Sequence, residues 1–164
     1  QAHATAMSYR IRPYQDTDLE AIKGITLVGF AGVSLDHALE EKLGGELAGH
    51  DWRWRKARHI DDDVVAHAEG IFVAEAEGEV LGYISSVIDR EVGRGRIPNL
   101  AVAASARRHG IGRALIEHAL DYFRNENLTY AVIETMETNP IGQTLYPAPG
   151  FQEIARQVHY AQRL

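Results

Sequence analysis

The sequence predicts a single domain of the mixed α/β (α+β) class. With 164 residues, 45% of them hydrophobic, the chain is long enough for one domain with a proper core and too short for two. Two β-rich runs, residues 71–76 and 80–88, flank Glu77-Gly78-Glu79 and predict a hairpin. Residues 97–135 predict a strand, an amphipathic helix and a second strand, a crossover that should be right-handed and parallel. The sheet should therefore be mixed and mostly antiparallel.

Composition excludes several classes of protein. Seventeen Lys and Arg against twenty-three Asp and Glu give a net charge of -6, which disfavours a nucleic-acid partner held through phosphates. The absence of cysteine excludes disulfides, a thiolate zinc site and a cysteine nucleophile. No apolar run approaches the roughly 20 residues of a membrane span, so we expect a soluble, cytoplasmic protein. We interpret Met7 as the native start, residues 1–6 as a remnant of cloning and residues 7–164 as the domain.

The N-terminal third predicts a strand followed by helices. Residues 9–13 alternate as a half-exposed strand does, and Thr17 and Glu20 have the spacing of a capping box at a helix start. Glycines interrupt the following helical pattern, from which we expect helices over 34–43 and near 46–57.

The end of this region contains tryptophans and then adjacent acids. We interpret Trp52 and Trp54 as packing inward from a helix whose arginines are solvated, with an acceptor or nucleotide contact surface as the alternative. The run Asp61-Asp62-Asp63 lacks other ligands at useful spacing, so we expect a solvated loop rather than a metal site.

The second half of the chain predicts alternating strands and helices. The expected elements are a turn at 93–96, a strand at 97–103, a helix at 110–125, a strand at 129–135, a short helix at 140–146 and one or two closing strands at 151–163.

The turn between the apolar strand and the long helix has a chemical use. The first N–H groups of a helix lack partners within it, and the helix dipole adds partial positive charge there. Gly110 and Gly112 allow a ligand to approach the backbone, and Arg107, Arg108 and Arg113 raise the local positive potential. This stretch therefore predicts a diphosphate site. Helix capping or tight packing is the alternative use of such glycines.

Two sequence motifs resemble those of one superfamily. The pattern Arg107-x-x-Gly110-x-Gly112 after an apolar strand resembles the acyl-coenzyme A pyrophosphate loop of the GNAT N-acetyltransferases. The stretch 139–151 is similar to their second signature, which is matched at Asn139, Gly142, Leu145, Tyr146, Gly150 and Phe151. The resemblance implies a GNAT fold: six to seven strands, about four flanking helices, and a parallel central strand pair splayed around the cofactor.

The resemblance also implies the residues that contact acetyl-coenzyme A, which is expected as a cosubstrate. Backbone N–H groups near 108–113 would hold the pyrophosphate, and the strand at 102–104 would pair with the pantetheine arm. The implied cofactor-binding residues are Leu100, Ala101, Val102, Arg107, Arg108, His109, Gly110, Ile111, Gly112, Arg113, Asn139 and Tyr146. Asn139 is alternatively the cap of the short helix.

The implied reaction is direct transfer of an acetyl group to a primary amine. Tyr146 matches the general acid that protonates the departing thiolate, and backbone N–H groups of residues 101–104 would stabilise the oxyanion. Glu134 is our candidate base for the amine, because a carboxylate stands there in the branch that modifies ribosomal-protein N-termini. The alternatives are a core tyrosine and a solvated strand glutamate. The reaction requires no metal and no covalent enzyme intermediate.

The same residues are compatible with other functions. A module that binds acyl-coenzyme A without turnover would use the same phosphate loop. A dinucleotide site is disfavoured, because Leu115 stands at the third glycine position. The acidic balance, with Glu134, Glu91 and Asp89 near the pocket that residues 28–68 would shape, favours a cationic acceptor such as a polyamine, an aminoglycoside or a peptide N-terminus. A homodimer is possible on the resemblance.

Overall fold

The computed structural model describes residues 7–140, 145–147 and 149–164. Seven strands are found in this part of the chain, namely β1 (Arg10–Pro13), β2 (Phe72–Ala76), β3 (Glu79–Ile84), β4 (Val87–Asp89), β5 (Arg94–Ile97), β6 (Leu100–Val102) and β7 (Tyr130–Ile133). The α-helices there are α1 (Leu19–Gly29), α2 (Leu35–Leu43), α3 (Trp52–His67) and α4 (Ile111–Asn125). None of these helices is long and apolar enough to cross a membrane.

The strands form two sheets, and the chain passes from the smaller to the larger between β5 and β6. The larger sheet has the order β1-β2-β3-β6 and is antiparallel throughout. The smaller has the order β4-β5-β7, in which β5 and β7 are parallel. The mixed architecture and the parallel crossover through α4 confirm the predicted fold class.

The predicted strand over residues 97–103 is wrong as a single element. The strand divides at Pro98 and Asn99, so that β5 belongs to one sheet and β6 to the other. Proline has no N–H for a ladder, and Asn99 is buried with its side chain bonded to α3 instead. The last pair between β5 and β7 is Ile97 with Ile133, after which β6 pairs with β3. The parallel strands therefore diverge from this point.

Two apolar clusters hold the helices against the sheets. One contains the inner face of α4, including Leu115, Ile116 and Phe123, packed with Phe72 and Ile84 of the larger sheet. The amphipathic pattern of this helix produces that face. The other cluster joins α1 and α3 to the opposite side of the larger sheet. The larger sheet is thus covered by helices on both sides.

Tertiary contacts overturn the expectations for α3. The helix continues through the acidic triplet, which was expected to be a loop, because Asp61 pairs with Lys23 and Asp63 is buried against Asn99. Only one of the two tryptophans packs inward. Trp52 is buried, whereas Trp54 is exposed and stacks on His50.

Other boundaries also differ from those expected. The predicted turn at 93–96 is largely strand β5, and the N–H of Gln15 is capped by Asp18 rather than by a Thr17–Glu20 box. Residues 151–164 contain no helix or strand, so the closing strands are absent from this structure. Of the predicted short helix at 140–146, residues 141–144 lie outside the described residues.

The packing of Gly95 gives a test of the smaller sheet. A Cβ built on Gly95 would lie 2.5 Å from the Phe123 ring, so Gly95→Ala should lower the free energy of unfolding by about 1–3 kcal/mol. Gly24 is the matched control, because it lies inside α1 and its Cβ would meet nothing within 4 Å. Gly24→Ala should raise stability by about 0.5–1 kcal/mol. Urea unfolding of both variants measures the difference, and equal effects would contradict this packing.

Candidate active site

A cavity of about 290 Å³ lies beside β6, at the N-terminus of α4. One wall is the main chain of β6, and a second is the turn over residues 106–113. Asn139, Leu145 and Tyr146, which follow β7, form a third wall. The divergence of the parallel strands brings these separate segments around one space.

The turn that begins α4 presents backbone N–H groups to this cavity. Gly110 is the N-cap and has a φ of 75°, a left-handed conformation that glycine adopts without steric cost. The N–H groups of Ile111, Gly112 and Arg113 belong to the first helical turn, which has no internal acceptors for them. A Cβ on Gly112 would approach Leu145 to 3.3 Å, so glycine keeps this wall open. The geometry suits an anion that contacts main chain.

Charge around the turn is positive but unevenly placed. Arg107 and Arg108 line the cavity, and both residues are exposed. Arg113 also lines it, with its guanidinium 3.1 Å from the Glu117 carboxylate one helical turn away. His109, the remaining predicted contact in this turn, is exposed and is not among the lining residues.

The hydrogen bonds of β6 determine which backbone groups face the cavity. Ala103 donates its N–H to Leu81 at 2.8 Å, and Asn99 accepts from the N–H of Ser85 at 2.9 Å. Because alternate residues of an antiparallel strand bond to the same neighbour, Leu100 and Val102 direct their N–H and C=O groups to the opposite edge. Residues 101–104 were the expected oxyanion donors. The N–H of Ala103 is already bonded to Leu81, whereas the N–H of Val102 faces the open edge of β6.

Tyr146 is a half-buried phenol in the cavity wall. Burial raises its pKa above the ordinary value, and a side-chain hydrogen bond with Thr135 opposes that shift. The phenol thus stays protonated through the neutral range and can donate a proton or a hydrogen bond. Tyr146 contributes to the same apolar cluster as Leu145 and the inner face of α4, so it is held by packing as well as by Thr135.

The other predicted residues are not all brought together. Asn139 lines the cavity and donates its backbone N–H to Met136 at 2.9 Å. Glu134 lies just beyond β7, where its side chain is 75% exposed and 4.0 Å from the Arg96 guanidinium. It is not a lining residue of the cavity. The alternation of side chains along β7 could not predict where the Glu134 side chain lies, because the strand ends one residue before it, at Ile133.

Helix α1 also contributes to the site, a role that was not predicted from the sequence. Gly29 and Phe30, at the end of this helix, line the cavity opposite the turn. A Cβ on Gly29 would lie 3.3 Å from the Ala101 Cβ, so glycine lets α1 approach β6 closely. The sequence does contain a signal for this contact, because Gly29 stands directly before the aromatic Phe30 at the end of a helix.

A buried polar network lies behind Phe30 and was also missed. The ammonium of Lys56 donates to the Asn99 side-chain oxygen at 2.8 Å, and the Asn99 amide donates to Asp63 at 2.7 Å. The backbone N–H of Asn99 donates to the Ser85 hydroxyl at 3.0 Å. The Lys56 nitrogen also lies 4.0 Å from the centre of the Phe30 ring. The network thus connects α3 to the break between β5 and β6 and to the cavity wall.

The charges of this network are desolvated. Burial lowers the pKa of Lys56, and the nearby carboxylates of Asp36 and Asp63 oppose the shift. Burial raises the pKa of Asp63, and hydrogen bonds from Asn99 and Ser85 oppose it. An uncompensated charge here would be costly, so each group depends on the other and on the bridging amide.

The fold and the cavity at the start of α4 agree with the class of protein that the two sequence motifs resemble, the GNAT proteins. The family model described as the Acetyltransferase (GNAT) family matches residues 34–151. This match covers well over half of the chain, so the chain belongs to this family.

Relatives with curated descriptions match part of the chain. An uncharacterised N-acetyltransferase of Methanocaldococcus jannaschii is 36% identical over 83 residues, which are 50% of this chain and 52% of the relative. An N-alpha-acetyltransferase of Sulfurisphaera tokodaii is 32% identical over 100 residues, with coverage of 54% and 60%. The chain thus spans about half the length of the curated relatives it matches.

Solved structures share the fold over most of the chain. A Pyrococcus horikoshii protein has a TM-score of 0.71 at 21% identity, and the matched residues cover 92% of this chain and 93% of that protein. The PaiA N-acetyltransferase of Thermoplasma acidophilum, solved with coenzyme A, has a TM-score of 0.68 at 18% identity, with coverage of 89% and 91%. At these identities the likeness shows the fold alone.

Removal of one member of the buried network should be costly. Asp63→Ala removes one of the two carboxylates that compensate the Lys56 charge and leaves the Asn99 amide without its acceptor, so the free energy of unfolding should fall by about 3–5 kcal/mol. Asp62, one residue earlier in the same helix, is exposed. Asp62→Ala should change stability by no more than about 0.5 kcal/mol. Thermal and urea unfolding of the pair measure this, and a small loss for Asp63→Ala would contradict the role assigned to the network.

Proposed function

We propose that this chain transfers the acetyl group of acetyl-coenzyme A directly to a primary amine. The observation that carries the proposal is the presence, around one cavity, of the first N–H groups of α4, the open edge of β6 and the phenol of Tyr146. These groups suit, in order, a diphosphate, an extended amide-containing arm and a leaving thiolate. Family membership and the coenzyme A complex of the PaiA neighbour support the choice of carrier.

The cofactor is proposed to bind mainly through backbone groups. Its diphosphate accepts hydrogen bonds from the N–H groups of Ile111, Gly112 and Arg113, with the charges of Arg107 and Arg108 nearby. The pantetheine amides pair with Leu100 and with the carbonyl oxygen of Val102 as an added strand would, since these residues direct their polar groups away from β3. The N–H of Val102 remains for the thioester oxygen. Asn139 contributes a further polar contact from the opposite wall.

The proposed reaction forms a C–N bond and breaks a C–S bond. The neutral amine attacks the thioester carbonyl, and the developing oxyanion accepts a hydrogen bond from the Val102 N–H. As the intermediate collapses, the sulfur leaves with the electrons of the C–S bond and takes the proton of Tyr146. Water then reprotonates the phenolate.

The proton of the incoming amine needs a separate acceptor. Glu134 is the proposed base and acts through water, because its exposed carboxylate lies outside the residues that line the cavity. The acceptor class also stays a prediction, a cationic amine. Descriptions of related proteins that act on N-termini and on an aminoglycoside support it. The cytoplasmic location likewise stays a prediction.

The decisive experiment measures coenzyme A release with a thiol reagent. Since the chain contains no cysteine, only the released cofactor reacts. Acetyl-coenzyme A is incubated with the protein and a panel of polyamines, aminoglycosides and peptides with free N-termini, beside neutral and anionic amines. Release with an amine supports the enzyme. Binding without release across the whole panel would favour a module that only holds the cofactor, and reaction with neutral or anionic amines alone would reject the cationic acceptor.

The phosphate turn can be tested apart from catalysis. Gly110→Ala puts a methyl group where the backbone has a φ of 75°, and it should weaken coenzyme A binding at least about tenfold, or about 1.4 kcal/mol by calorimetry. Gly44, the C-cap of α2, has a φ of 80° and equally open surroundings. Gly44→Ala should carry the same backbone strain without changing affinity. Equal affinities for both variants would contradict a cofactor site at this turn.

Tyr146→Phe removes the proposed proton donor. The variant should lose about 100- to 10,000-fold in kcat while its KM for acetyl-coenzyme A stays within a few-fold. Because the raised pKa keeps Tyr146 protonated at neutral pH, the alkaline decline of wild-type kcat should lie above the ordinary titration range of a tyrosine and should disappear in the variant. Tyr130→Phe, at an exposed phenol on β7, is the control. Steady-state kinetics across pH would reject the role if Tyr146→Phe retained full kcat.

A further inference from the structure

Phe30 lies at the end of the cavity away from the phosphate turn. It lines the cavity and contacts Lys56, whose ammonium donates to the Asn99 side chain at 2.8 Å. Asn99 directly precedes β6, which runs from Leu100 to Val102 and on toward the turn. The Asn99 end of β6 is therefore the end remote from the turn. A donor whose diphosphate occupies the turn must direct its acyl group toward Phe30.

The backbone of Phe30 is fixed by the end of α1. As the C-cap of this helix, Phe30 donates its N–H to the Thr26 carbonyl oxygen at 3.0 Å. The Thr26 hydroxyl lies 2.5 Å from the hydroxyl of Tyr83 on β3, and both residues are fully buried. A Cβ on Gly29 would lie 3.3 Å from the Ala101 Cβ, so α1 already lies about as close to β6 as a glycine allows. The helix end is thus held from two sides.

The ring of Phe30 is held by a buried cation. The Lys56 nitrogen lies 4.0 Å from the ring centre, which is the distance of a cation–π interaction. Such an interaction is strongest where the cation is desolvated, and Lys56 is buried. The same ammonium is fixed by its hydrogen bond to Asn99. The ring therefore cannot retreat toward α3 without displacing the ammonium from that bond.

The size of the cavity agrees with a short acyl group. Its volume of about 290 Å³ lies at the lower limit of the roughly 300–1,000 Å³ typical of small-molecule sites. The same space must also accommodate the arm that carries the thioester. A longer acyl chain that extends away from the turn would meet the Phe30 ring, and neither the backbone nor the ring of this residue is free to yield.

We propose that Phe30 restricts the acyl donor to acetyl or propionyl groups, and that Lys56 is the positioning residue that holds the Phe30 ring at the acyl end of the cavity. The inference rests on the proposed function, because it assumes that acyl-coenzyme A occupies this cavity. Loss of the ring opens the end of the cavity to longer chains. Loss of the ammonium does so in part, because the ring can then turn away.

Calorimetric titration with acyl-coenzyme A donors tests the role of the ring without any amine. The wild-type chain should bind acetyl-coenzyme A at least about tenfold more tightly than hexanoyl-coenzyme A, and Phe30→Ala should reduce this ratio to within about threefold. Leu145→Ala is the control, because it removes an apolar side chain from the wall beside Gly112. It should weaken both donors alike. Equal binding of both donors by the wild type, or a wild-type ratio in Phe30→Ala, would overturn the inference.

Turnover separates this inference from the proposed function. If no amine releases coenzyme A but the affinity ratios change as described, the proposed transfer fails and the size limit stands. With a reactive amine, Phe30→Ala should raise kcat/KM for hexanoyl-coenzyme A relative to acetyl-coenzyme A at least about tenfold. A changed preference among amines with an unchanged donor ratio would assign Phe30 to the acceptor and would overturn the inference.

Paired substitutions test Lys56. Lys56→Met with Asp63→Asn removes both buried charges at similar size, and the introduced amide oxygen can still accept from Asn99. Asp63→Asn alone is the control, because it keeps the ammonium against Phe30. The double variant should shift the hexanoyl-to-acetyl affinity ratio at least about fivefold toward that of Phe30→Ala, and the control should stay within about twofold of the wild type. Circular dichroism reports whether both are folded. Lower stability of the double variant with an unchanged ratio would show a merely structural role and would overturn the assignment of Lys56.

Discussion

The arrangement of this molecule depends on the strand break that the buried Asn99 holds in place. One amide side chain accepts from Lys56 and donates to Asp63, while the backbone of the same residue is bonded to Ser85. These bonds tie the chain to α3 where it leaves the smaller sheet and enters the larger one. Without the break, β6 would continue beside β7 and its edge would be occupied. The polar network therefore creates the open edge from which Leu100 and Val102 act.

The same break also brings the open edge of β6 and the first N–H groups of α4 to one place. From β6 the chain enters a tight turn and then α4, so the open strand edge and the unpaired N–H groups of the helix are contiguous in sequence. The residues after β7 return to the same space because the parallel strands share a direction up to Ile97 and Ile133. A phosphate site and an extended amide site thus arise from main chain alone, which leaves the side chains of Phe30 and Tyr146 to shape the reacting end.

The sequence predicted elements whose signal is local and failed where distant contacts decide. The hairpin of β2 and β3, the helix α2 and the amphipathic helix α4 follow from periodicity and turn residues, and the structure confirms them. The acidic triplet became helix because Lys23 and Asn99, both far away in sequence, bind two of its members.

For the site, motif spacing located the cavity walls at the turn, at Asn139 and at Tyr146. It could not show that Glu134 lies outside the wall, because the side to which a residue points depends on where its strand ends. Nor could it reveal Phe30, which reaches the site through the packing of α1 on β6. Residues 151–164 were predicted as closing strands and contain no strand in the structure, where every residue from 152 onward is exposed.

The environment of Tyr146 limits how it acts. A thiol has an ordinary pKa of about 8.5 and a phenol one of about 10, and burial raises that of Tyr146 further. Complete transfer of its proton to a free thiolate is therefore uphill by at least about 2 kcal/mol. The phenol is then most useful while the C–S bond is breaking, when a hydrogen bond to the developing charge lowers the barrier without requiring full ionisation. Thr135, whose hydrogen bond favours the phenolate, reduces the remaining cost at that moment. Catalysis of this kind depends on placement more than on acidity, so the packing that half-buries the phenol contributes to function even though it makes Tyr146 a weaker acid.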